Sequence, residues 1–198
     1  KRVRPIIKRL AMEVNIPISI DTYKPKVAEE CIKLGAQMIN DITGLRNKEM
    51  MEIVAKYKVP VAVMHMQGMP KEMQKNPDYG DVVDDIKEFF RQKIKDAKNA
   101  GINDIVIDPG IGFGKTTVHN LQILKRLGEF KDLGCPILVG PSRKSFIGNI
   151  IGVGANERLE GTIASVAVAV MNGANIVRVH DVSECKRAVQ IAEAIRDA

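Results

Sequence analysis

The feature that most constrains the fold is a regular alternation of two kinds of segment. Short runs rich in β-branched residues recur along the chain, and segments with apolar residues three or four positions apart lie between them. The runs are residues 17–22, 37–42, 60–66, 104–110, 136–142 and 176–181. The first pattern indicates buried strands and the second amphipathic helices. Parallel strands need a crossover of about a dozen residues, so the alternation predicts a parallel sheet covered by helices.

The polar residues at the ends of the predicted strands favour a closed barrel over an open doubly wound sheet. The polar residues at these strand ends are Asp21, Asn40, His65, Asp108, Ser142 and Arg178. In a barrel, different strands each donate a residue to a site at their carboxyl ends, whereas an open sheet concentrates its ligand at one switch point. We therefore predict an α/β fold of the (β/α)8 TIM-barrel class, as one domain over residues 1–198.

Length refines this prediction. A complete barrel of this class takes about 250 residues. Six βα units in 198 residues therefore predict that two N-terminal strands of the barrel are absent from the sequence given. A partly open barrel of six units is the alternative.

Composition argues against several classes of protein. No stretch approaches the roughly 18 apolar residues of a membrane span, and no signal pattern opens the chain, so we expect no membrane partner and a cytoplasmic location. Cys31, Cys135 and Cys185 are far apart, which predicts reduced thiols used in packing. The net charge of +6 suits anionic substrates. However, basic and acidic residues alternate along the helices and tryptophan is absent, so we expect no nucleic-acid partner.

The glycine-rich segment 108–116 matches neither common nucleotide-binding motif. In a phosphate-binding Walker loop, four residues separate the first glycine from Gly-Lys-Thr. Here only three residues separate Gly110 from Gly-Lys-Thr at residues 114–116. The glycines also fail the dinucleotide pattern Gly-x-Gly-x-x-Gly. What the segment provides is a carboxylate, Asp108, and a loop that allows close approach to a flat ligand, with Phe113 available to cover it. Taken alone, Asp108 is as well explained as a turn former.

A binding role for Asp108 is favoured by Asp21 and Asn40, which lie at the ends of two other predicted strands. Two carboxylates and an amide suit a nitrogen-rich heterocycle such as a pterin, whose amino group and ring N–H donors lie beside ring acceptors. Arg178 and His180 alternate on one predicted strand, so their side chains would point the same way and form a cradle for diphosphate. Ser142 would start a helix whose N-terminus favours a carboxylate, with simple N-capping as the alternative.

Several segments together resemble the dihydropteroate synthase family. They are residues 21–24, 39–41, 64–68, 108–115, 142–144 (Ser-Arg-Lys) and 178–181 (Arg-Val-His-Asp). The resemblance covers essentially the whole chain, from the second helix of that family's barrel onwards. It implies a cytoplasmic transferase of folate biosynthesis, which condenses 6-hydroxymethyl-7,8-dihydropterin diphosphate with p-aminobenzoate to give 7,8-dihydropteroate and diphosphate.

The resemblance also implies a role for individual residues in binding the pterin. Asp108 would hold the amino and N3 groups of the ring, Asp21 and Asn40 the remaining ring nitrogens, and Lys144 the carbonyl oxygen and N5. Met64 and Phe113 would line the ring pocket, and Gly140 would permit close approach. Packing is the alternative for Met64, and it is the interpretation we prefer for Met66 and Met69.

For catalysis the resemblance implies Lys144, Arg178 and His180, and Ser142 would bind the carboxylate of p-aminobenzoate. Arg143 is ambiguous, because an arginine at a strand end can equally pair with a neighbouring carboxylate and support Lys144 from behind, and we assign it no catalytic role. Three lysines, Lys24, Lys26 and Lys115, read as solvated or paired surface charges.

No residue of this chain is predicted as a metal ligand. The resemblance implies that Mg²⁺ would be held mainly by the substrate diphosphate and by an Asn of the absent N-terminal strand. The small apolar helix at residues 161–171 suits a homodimer interface, which the resemblance also implies, and burial of this helix against the barrel is the alternative. Two alternatives stay open. One is a pterin-dependent methyltransferase that methylates a corrinoid, which the motifs at residues 142–144 and 178–180 disfavour, and the other is a catalytically silent pterin-binding barrel.

Overall fold

All six predicted strands are present in the computed structural model, and each is shorter than its sequence run. The structure describes residues 2–68, 73 and 77–198. The strands are β1 (Ser19–Asp21), β2 (Met38–Asp41), β3 (Val61–Met64), β4 (Ile105–Asp108), β5 (Leu138–Val139) and β6 (Ile176–Val177). The difference is largest for the run at 136–142, where only two residues form β5. Gly140 and Pro141 end this strand, and proline has no N–H to donate to a neighbouring strand.

Helices separate the strands, as the apolar spacing predicts. They are α1 (Arg4–Glu13), α2 (Pro25–Lys33), α3 (Lys48–Tyr57), α4 (Val82–Asn99), α5 (Thr117–Lys125), α6 (Ser145–Ile151), α7 (Leu159–Met171) and α8 (Val182–Arg196). Two 3-10 helices lie at Leu127–Leu133 and Ala155–Glu157. Within the described part of the chain, none of these helices has the length and apolar character needed to cross a membrane.

The chain divides into two compact units. The first comprises Lys1–His65 and Phe90–Ile107, and the second comprises Met66–Phe89 and Asp108–Ala198. We describe each unit by itself. The prediction of one domain over residues 1–198 stays a prediction.

The sheet of the first unit follows chain order, β1-β2-β3-β4. The pairs β1–β2 and β2–β3 are parallel, with Asp21 opposite Asn40 and Asp41 opposite Val63. A doubly wound sheet reverses its strand order at a switch point, and this order shows no reversal, which is typical of the wall of a barrel. Ile39 and Val61 are fully buried, as expected of strands covered on both faces.

The second unit contains the parallel pair β5–β6 and helices α5 to α8. Helices α7 and α8 pack against each other, and Phe130 of the first 3-10 helix is fully buried. The three cysteines of the chain, one of them in the first unit, all lie in the described part and are free thiols. This confirms the prediction for Cys31 and Cys185, which are buried, whereas Cys135 is only partly buried.

Candidate functional site

The ten predicted site residues fall into both units. Asp21, Asn40 and Met64 belong to the first unit. The other seven belong to the second unit: Asp108, Phe113, Gly140, Ser142, Lys144, Arg178 and His180. The structure brings the residues together within each unit as follows.

In the first unit, Asp21 and Asn40 lie side by side at the carboxyl ends of β1 and β2. They are register partners, and residues at matching positions of neighbouring strands project from the same face of a sheet. Asn40 is buried, and its side-chain Oδ1 has no hydrogen-bond partner among the residues that the structure describes. A buried amide oxygen without a partner costs about 1–3 kcal/mol, so this oxygen is well suited to accept a bond from a ligand.

The neighbouring Asp41 has a structural task instead. Its carboxylate accepts bonds from the backbone N–H and the hydroxyl of Thr43, at 2.8 and 2.7 Å, and from the N–H of Leu45 at 3.1 Å. These bonds hold the turn after β2, where Leu45 adopts a positive φ of 54°. Asp41 is therefore committed to the turn, whereas Oδ1 of Asn40 accepts no hydrogen bond from the described residues.

The methionines near the end of β3 are buried. Met64 and Met66 are each 2% exposed. For Met66 this burial agrees with the packing role that we preferred, and Met69 lies outside the described residues. The predicted contact of Met64 with the pterin ring stays a prediction.

In the second unit, Asp108 ends β4 and is buried at 6% exposure. Its Oδ1 accepts a 2.8 Å bond from the N–H of Gly110, whose positive φ of 71° suits glycine. Burial raises the pKa of Asp108 to about 6, while the Gly110 N–H and the charges of Lys115, Lys144 and Arg178 act in the opposite direction. Burial destabilises the ionised form of Asp108, and a ligand that donates hydrogen bonds to the carboxylate would stabilise it.

The loop after β4, residues 109–116, is held in place by side chains from elsewhere in the unit. Asn120 accepts a 2.7 Å bond from the N–H of Gly112 and donates to the carbonyl of Thr116 at 2.8 Å. The hydroxyl of Tyr79 donates to the carbonyl of Gly114 at 2.8 Å. Sequence reasoning missed Asn120 and Tyr79, because neither lies in a motif that marks it.

Lys115 corrects a prediction. We expected a surface charge, yet Lys115 is only 4% exposed and its Nζ donates to the carbonyl of Phe113 at 3.0 Å. Burial lowers the pKa of Lys115 to about 7, although the carboxylate of Asp108 acts to raise it. The prediction was wrong because the loop turns the chain at glycines with positive φ and directs this side chain inwards. Lys24 and Lys26 are exposed, as predicted.

The structure brings Lys144 and Phe113 together. Lys144 Nζ lies 4.1 Å from the centroid of the Phe113 ring, which is within the range of a cation–π interaction. A Cβ added to Gly112 would come 2.8 Å from Cδ of Lys144, so glycine is needed there for the lysine to take this path. Electrostatically, Lys144 also acts on Asp108. The end of β4 and the loops after β4 and β5 therefore supply one cluster of a carboxylate, an aromatic ring and a cation.

Ser142 is linked to His180, and it does not start a helix. Its Oγ lies 2.8 Å from Nδ1 of His180 and accepts the backbone N–H of His180 at 3.2 Å. Helix α6 begins at Ser145 with Lys144 at the N-cap, so the predictions of a helix start or an N-cap at Ser142 were wrong. Arg143, with a positive φ of 53°, separates Ser142 from the helix. The predicted contact of Ser142 with p-aminobenzoate stays a prediction.

Arg178 and His180 lie in the loop after β6, residues 178–181, and both are exposed. The ladder ends at the bond from the N–H of Arg178 to the carbonyl of Val139, 2.9 Å long. The argument that both residues alternate on one strand was therefore wrong. A Cβ on Gly140 would lie an ordinary 3.8 Å from the carbonyl oxygen of Arg178, so strand packing does not require this glycine. The roles predicted for Gly140, Arg178 and His180 stay predictions.

Comparison with known proteins agrees with this geometry. The family model described as pterin binding enzyme matches residues 1–180. The dihydropteroate synthase of Escherichia coli (strain K12) is 44% identical over 200 residues, which cover 100% of this chain and 71% of that protein.

Two solved structures extend the comparison. Dihydropteroate synthase from Stenotrophomonas maltophilia, with imidazole bound in its active site, aligns with a TM-score of 0.95 at 45% identity, over 98% of this chain and 74% of that one. The enzyme from Thermus thermophilus in complex with 4-aminobenzoate aligns with a TM-score of 0.92 at 42% identity, over 97% and 79%. These matches confirm the predicted TIM-barrel fold class. The chain therefore belongs to the pterin-binding enzyme family, among the dihydropteroate synthases, which are transferases of folate biosynthesis.

Proposed function

We propose that this chain condenses 6-hydroxymethyl-7,8-dihydropterin diphosphate with p-aminobenzoate, giving 7,8-dihydropteroate and diphosphate. The observation that carries the proposal is the buried carboxyl group of Asp108 at the end of β4, on which the charges of Lys115, Lys144 and Arg178 act. The complex of the related Thermus thermophilus enzyme with 4-aminobenzoate supports the second substrate.

Recognition of the pterin begins at Asp108. Its ionised carboxylate would accept hydrogen bonds from the 2-amino group and N3–H of the ring, and the ligand would then replace the water lost on burial. Lys144 would donate to the carbonyl oxygen and N5 of the ring, in the orientation that its contact with Phe113 fixes. An analogue without these groups would leave buried partners unpaired, which is the strongest form of discrimination available to a small site. The roles of Asp21, Asn40 and Met64 stay predictions from the family resemblance.

The chemistry needs no protein nucleophile. The C–O bond between the pterin CH2 group and the diphosphate breaks, and its electron pair leaves with the diphosphate. The electron-rich pterin delocalises the positive charge left on carbon, and the amine nitrogen of p-aminobenzoate then bonds to that carbon and releases one proton. Positioning both reactants and stabilising the moving charge are therefore the enzyme's contributions.

Cations near the diphosphate would stabilise the leaving group. We assign this task to Arg178 and His180 of the loop after β6, whose exposure leaves them open to a substrate from solution. We propose Mg²⁺ as a companion of the diphosphate, bound through phosphate oxygens. The described residues contain no cluster of three His, Cys, Asp or Glu side chains suited to a metal ion, so no step assigned to this chain depends on such a site.

We further propose that the chain works in the cytoplasm as a homodimer that associates through α7 and α8. These helices expose Val168, Met171, Ile191 and Ile195, which are 43–64% accessible, and an apolar groove of about 510 Å³ lies between them. Three free thiols suit a reducing compartment, where disulfides are rare. Light scattering coupled to gel filtration tests the dimer, and a monomeric mass would reject it.

The direct test of the reaction is to incubate the chain with both substrates and Mg²⁺ and to quantify dihydropteroate and diphosphate. We expect the two products in equal amounts, and no dihydropteroate when p-aminobenzoate is omitted. A methyl group transferred from a methylated tetrahydropterin, without any condensation, would instead support the methyltransferase alternative. Pterin binding without either reaction would support the silent barrel.

A further inference from the structure

The backbone of Arg143 is held in an unusual conformation between Ser142 and Lys144. Its φ of 53° is in the left-handed region, which costs a non-glycine residue about 1 kcal/mol or more and persists only where the surroundings enforce it. The N–H of Arg143 donates to the hydroxyl of Thr162 at 2.9 Å, and its carbonyl accepts from Arg158 at 3.0 Å. The loop after β5, residues 140–144, is thus fixed to the beginning of α7 through both backbone polar groups of one residue.

The side chain of Arg143 makes a second set of contacts. Its Nε and Nη2 donate to the two carboxylate oxygens of Asp181 at 2.9 and 2.8 Å, and its Nη1 donates to the carbonyls of Asn156 and Ala155 at 2.8 and 3.1 Å. A two-bond fork between guanidinium and carboxylate fixes both distance and orientation. Asp181 follows His180 directly, so this fork joins the loop after β5 to the loop after β6.

The Arg143–Asp181 pair is partly shielded from solvent. Both side chains are largely shielded, at 27% and 21% exposure, and such a pair is screened less by salt than an exposed one. The guanidinium of Arg143 lowers the pKa of Asp181, so the carboxylate stays charged throughout the neutral range. The Ser142–His180 hydrogen bond runs between the same two loops. Two parallel links therefore connect Ser142 and Arg143, which precede Lys144, with the two residues at the end of the loop after β6.

We propose that Arg143 and Asp181 form a brace that sets the distance between the pterin-binding Lys144 and the diphosphate-binding Arg178 and His180. The proposal rests on the proposed function, since it assigns the substrate groups that the brace aligns. Arg143 is a positioning residue: its guanidinium is bonded to Asp181, Asn156 and Ala155, and it acts on the substrate only through its neighbours. A misplacement of reacting groups by about 1 Å can cost on the order of 100-fold in rate.

The brace predicts an unequal effect on two ligands. A pterin without diphosphate relies on Asp108 and Lys144, and Lys144 keeps its separate contact with Phe113 when the brace is lost. The pterin diphosphate also relies on the loop after β6. Loss of the brace would therefore weaken the diphosphate ligand and slow the reaction, while affinity for 6-hydroxymethylpterin would be nearly unchanged.

The experiment compares Arg143→Gly and Asp181→Asn with the wild type. Glycine accepts the positive φ of residue 143 without strain, so Arg143→Gly removes the side chain without straining the backbone, and Asp181→Asn, which is nearly isosteric, removes only the charge of the partner. The matched control is Arg196→Gly, which removes a similar fork to Asp197, with bonds of 2.8 and 3.1 Å, at the exposed end of α8. Calorimetry gives the affinity for each pterin, steady-state kinetics give kcat and KM, and thermal unfolding shows that each variant is folded.

For both brace variants we expect kcat/KM to fall on the order of 100-fold, with the affinity for pterin diphosphate at least about tenfold lower and that for 6-hydroxymethylpterin within about threefold, while the control equals the wild type. Ethylguanidinium ions should restore part of the activity of Arg143→Gly. Folded variants with wild-type kinetics, or an equal loss of both ligands, would overturn the brace. If Arg143→Gly does not fold, Asp181→Asn decides.

A wild type that neither binds nor converts the substrates would refute the proposed function instead. The brace would then be judged from crystal structures of the wild type and Arg143→Gly. An unchanged separation of Lys144 and His180 in the variant would reject it without reference to activity.

Discussion

Asp108 ends β4 and Asp181 lies in the loop after β6, so each aspartate is near the carboxyl end of a strand, yet the two carboxylates have opposite properties. Asp108 is buried, and burial raises its pKa to about 6. Asp181 is partly exposed, and the fork from Arg143 lowers its pKa. A carboxylate whose charge is poorly compensated has binding capacity left for a ligand, whereas one already paired with arginine is committed to the structure. Position at a strand end therefore does not by itself identify a binding aspartate.

The pH dependence of pterin binding is the strongest test of the difference between the two aspartates. Protonated Asp108 would donate a hydrogen bond where the pterin requires an acceptor. With a folded-state pKa of about 6, the ionised fraction at pH 5 is about one tenth, so affinity for 6-hydroxymethylpterin should fall about tenfold between pH 7 and pH 5. Calorimetry across this range checks it. Asp181→Asn should show the same profile, and a flat profile in the wild type would contradict the role of Asp108.

Gly112→Ala tests whether Asp108 needs Lys144 beside it. The new Cβ would lie 2.8 Å from Cδ of Lys144 at a backbone φ of 80°, so the lysine must move away from Phe113. We expect pterin affinity to fall about tenfold and the free energy of unfolding to fall by about 1–2 kcal/mol. Gly134→Ala is the control, because its φ of 68° imposes similar strain and no atom lies within 4 Å of the added Cβ. Equal affinities in the two variants would reject the crowding argument.

Lys115→Met tests how far a neighbouring cation affects Asp108, because it removes one of the positive charges that act on this carboxylate. Without this charge the pKa of Asp108 should rise further, so the midpoint of pterin binding should move to higher pH. Affinity at pH 7 should fall severalfold, roughly 1 kcal/mol, and Lys24→Met should behave as the wild type. A midpoint that moves to lower pH in the binding titration would have the wrong sign for this account.

The smallest effect concerns the link between Ser142 and His180. Ser142→Ala removes the 2.8 Å bond to Nδ1 of His180 and the 3.2 Å bond from the backbone N–H of His180, and each bond of this kind contributes about 0.5–1.5 kcal/mol. We expect the KM for p-aminobenzoate to rise by about threefold, with pterin affinity unchanged. Ser165→Ala is the matched control, since the hydroxyl of Ser165 bonds within α7, to the carbonyl of Gly161. Kinetics with each substrate varied in turn distinguish the two variants.

The strands and fold class could be predicted because burial on both faces and helix amphipathicity leave periodic patterns in the sequence. All six predicted strands are observed, and the motif residues Asp108, Phe113 and Lys144 meet in one cluster. Loop geometry left no such pattern. Arg143 takes its left-handed conformation because Thr162 and Arg158 bind its backbone from residues 15 to 19 positions later, and this conformation excludes Ser142 from α6.

The burial of Lys115 could not be predicted from the sequence either. A lysine after a glycine-rich loop reads as a surface charge, because nothing local shows that the loop will enclose it. The enclosure of Lys115 depends on Asn120 and Tyr79, which hold Gly112 and Gly114 from positions 8 and 35 residues away. Contacts between distant residues decide such cases, and a single sequence does not display them.

The most direct test of the central claim is a calorimetric titration of the wild type and of Asp108→Ala with the pterin diphosphate in the presence of Mg²⁺. Asp104→Ala, which alters an exposed aspartate just before β4, serves as the control. We predict binding by the wild type and the control, and loss of binding on the order of 100-fold or more in Asp108→Ala, because two ring donors lose a charged acceptor. Equal binding by all three proteins, or no binding by the wild type, would contradict the claim that Asp108 is the pterin acceptor of this chain.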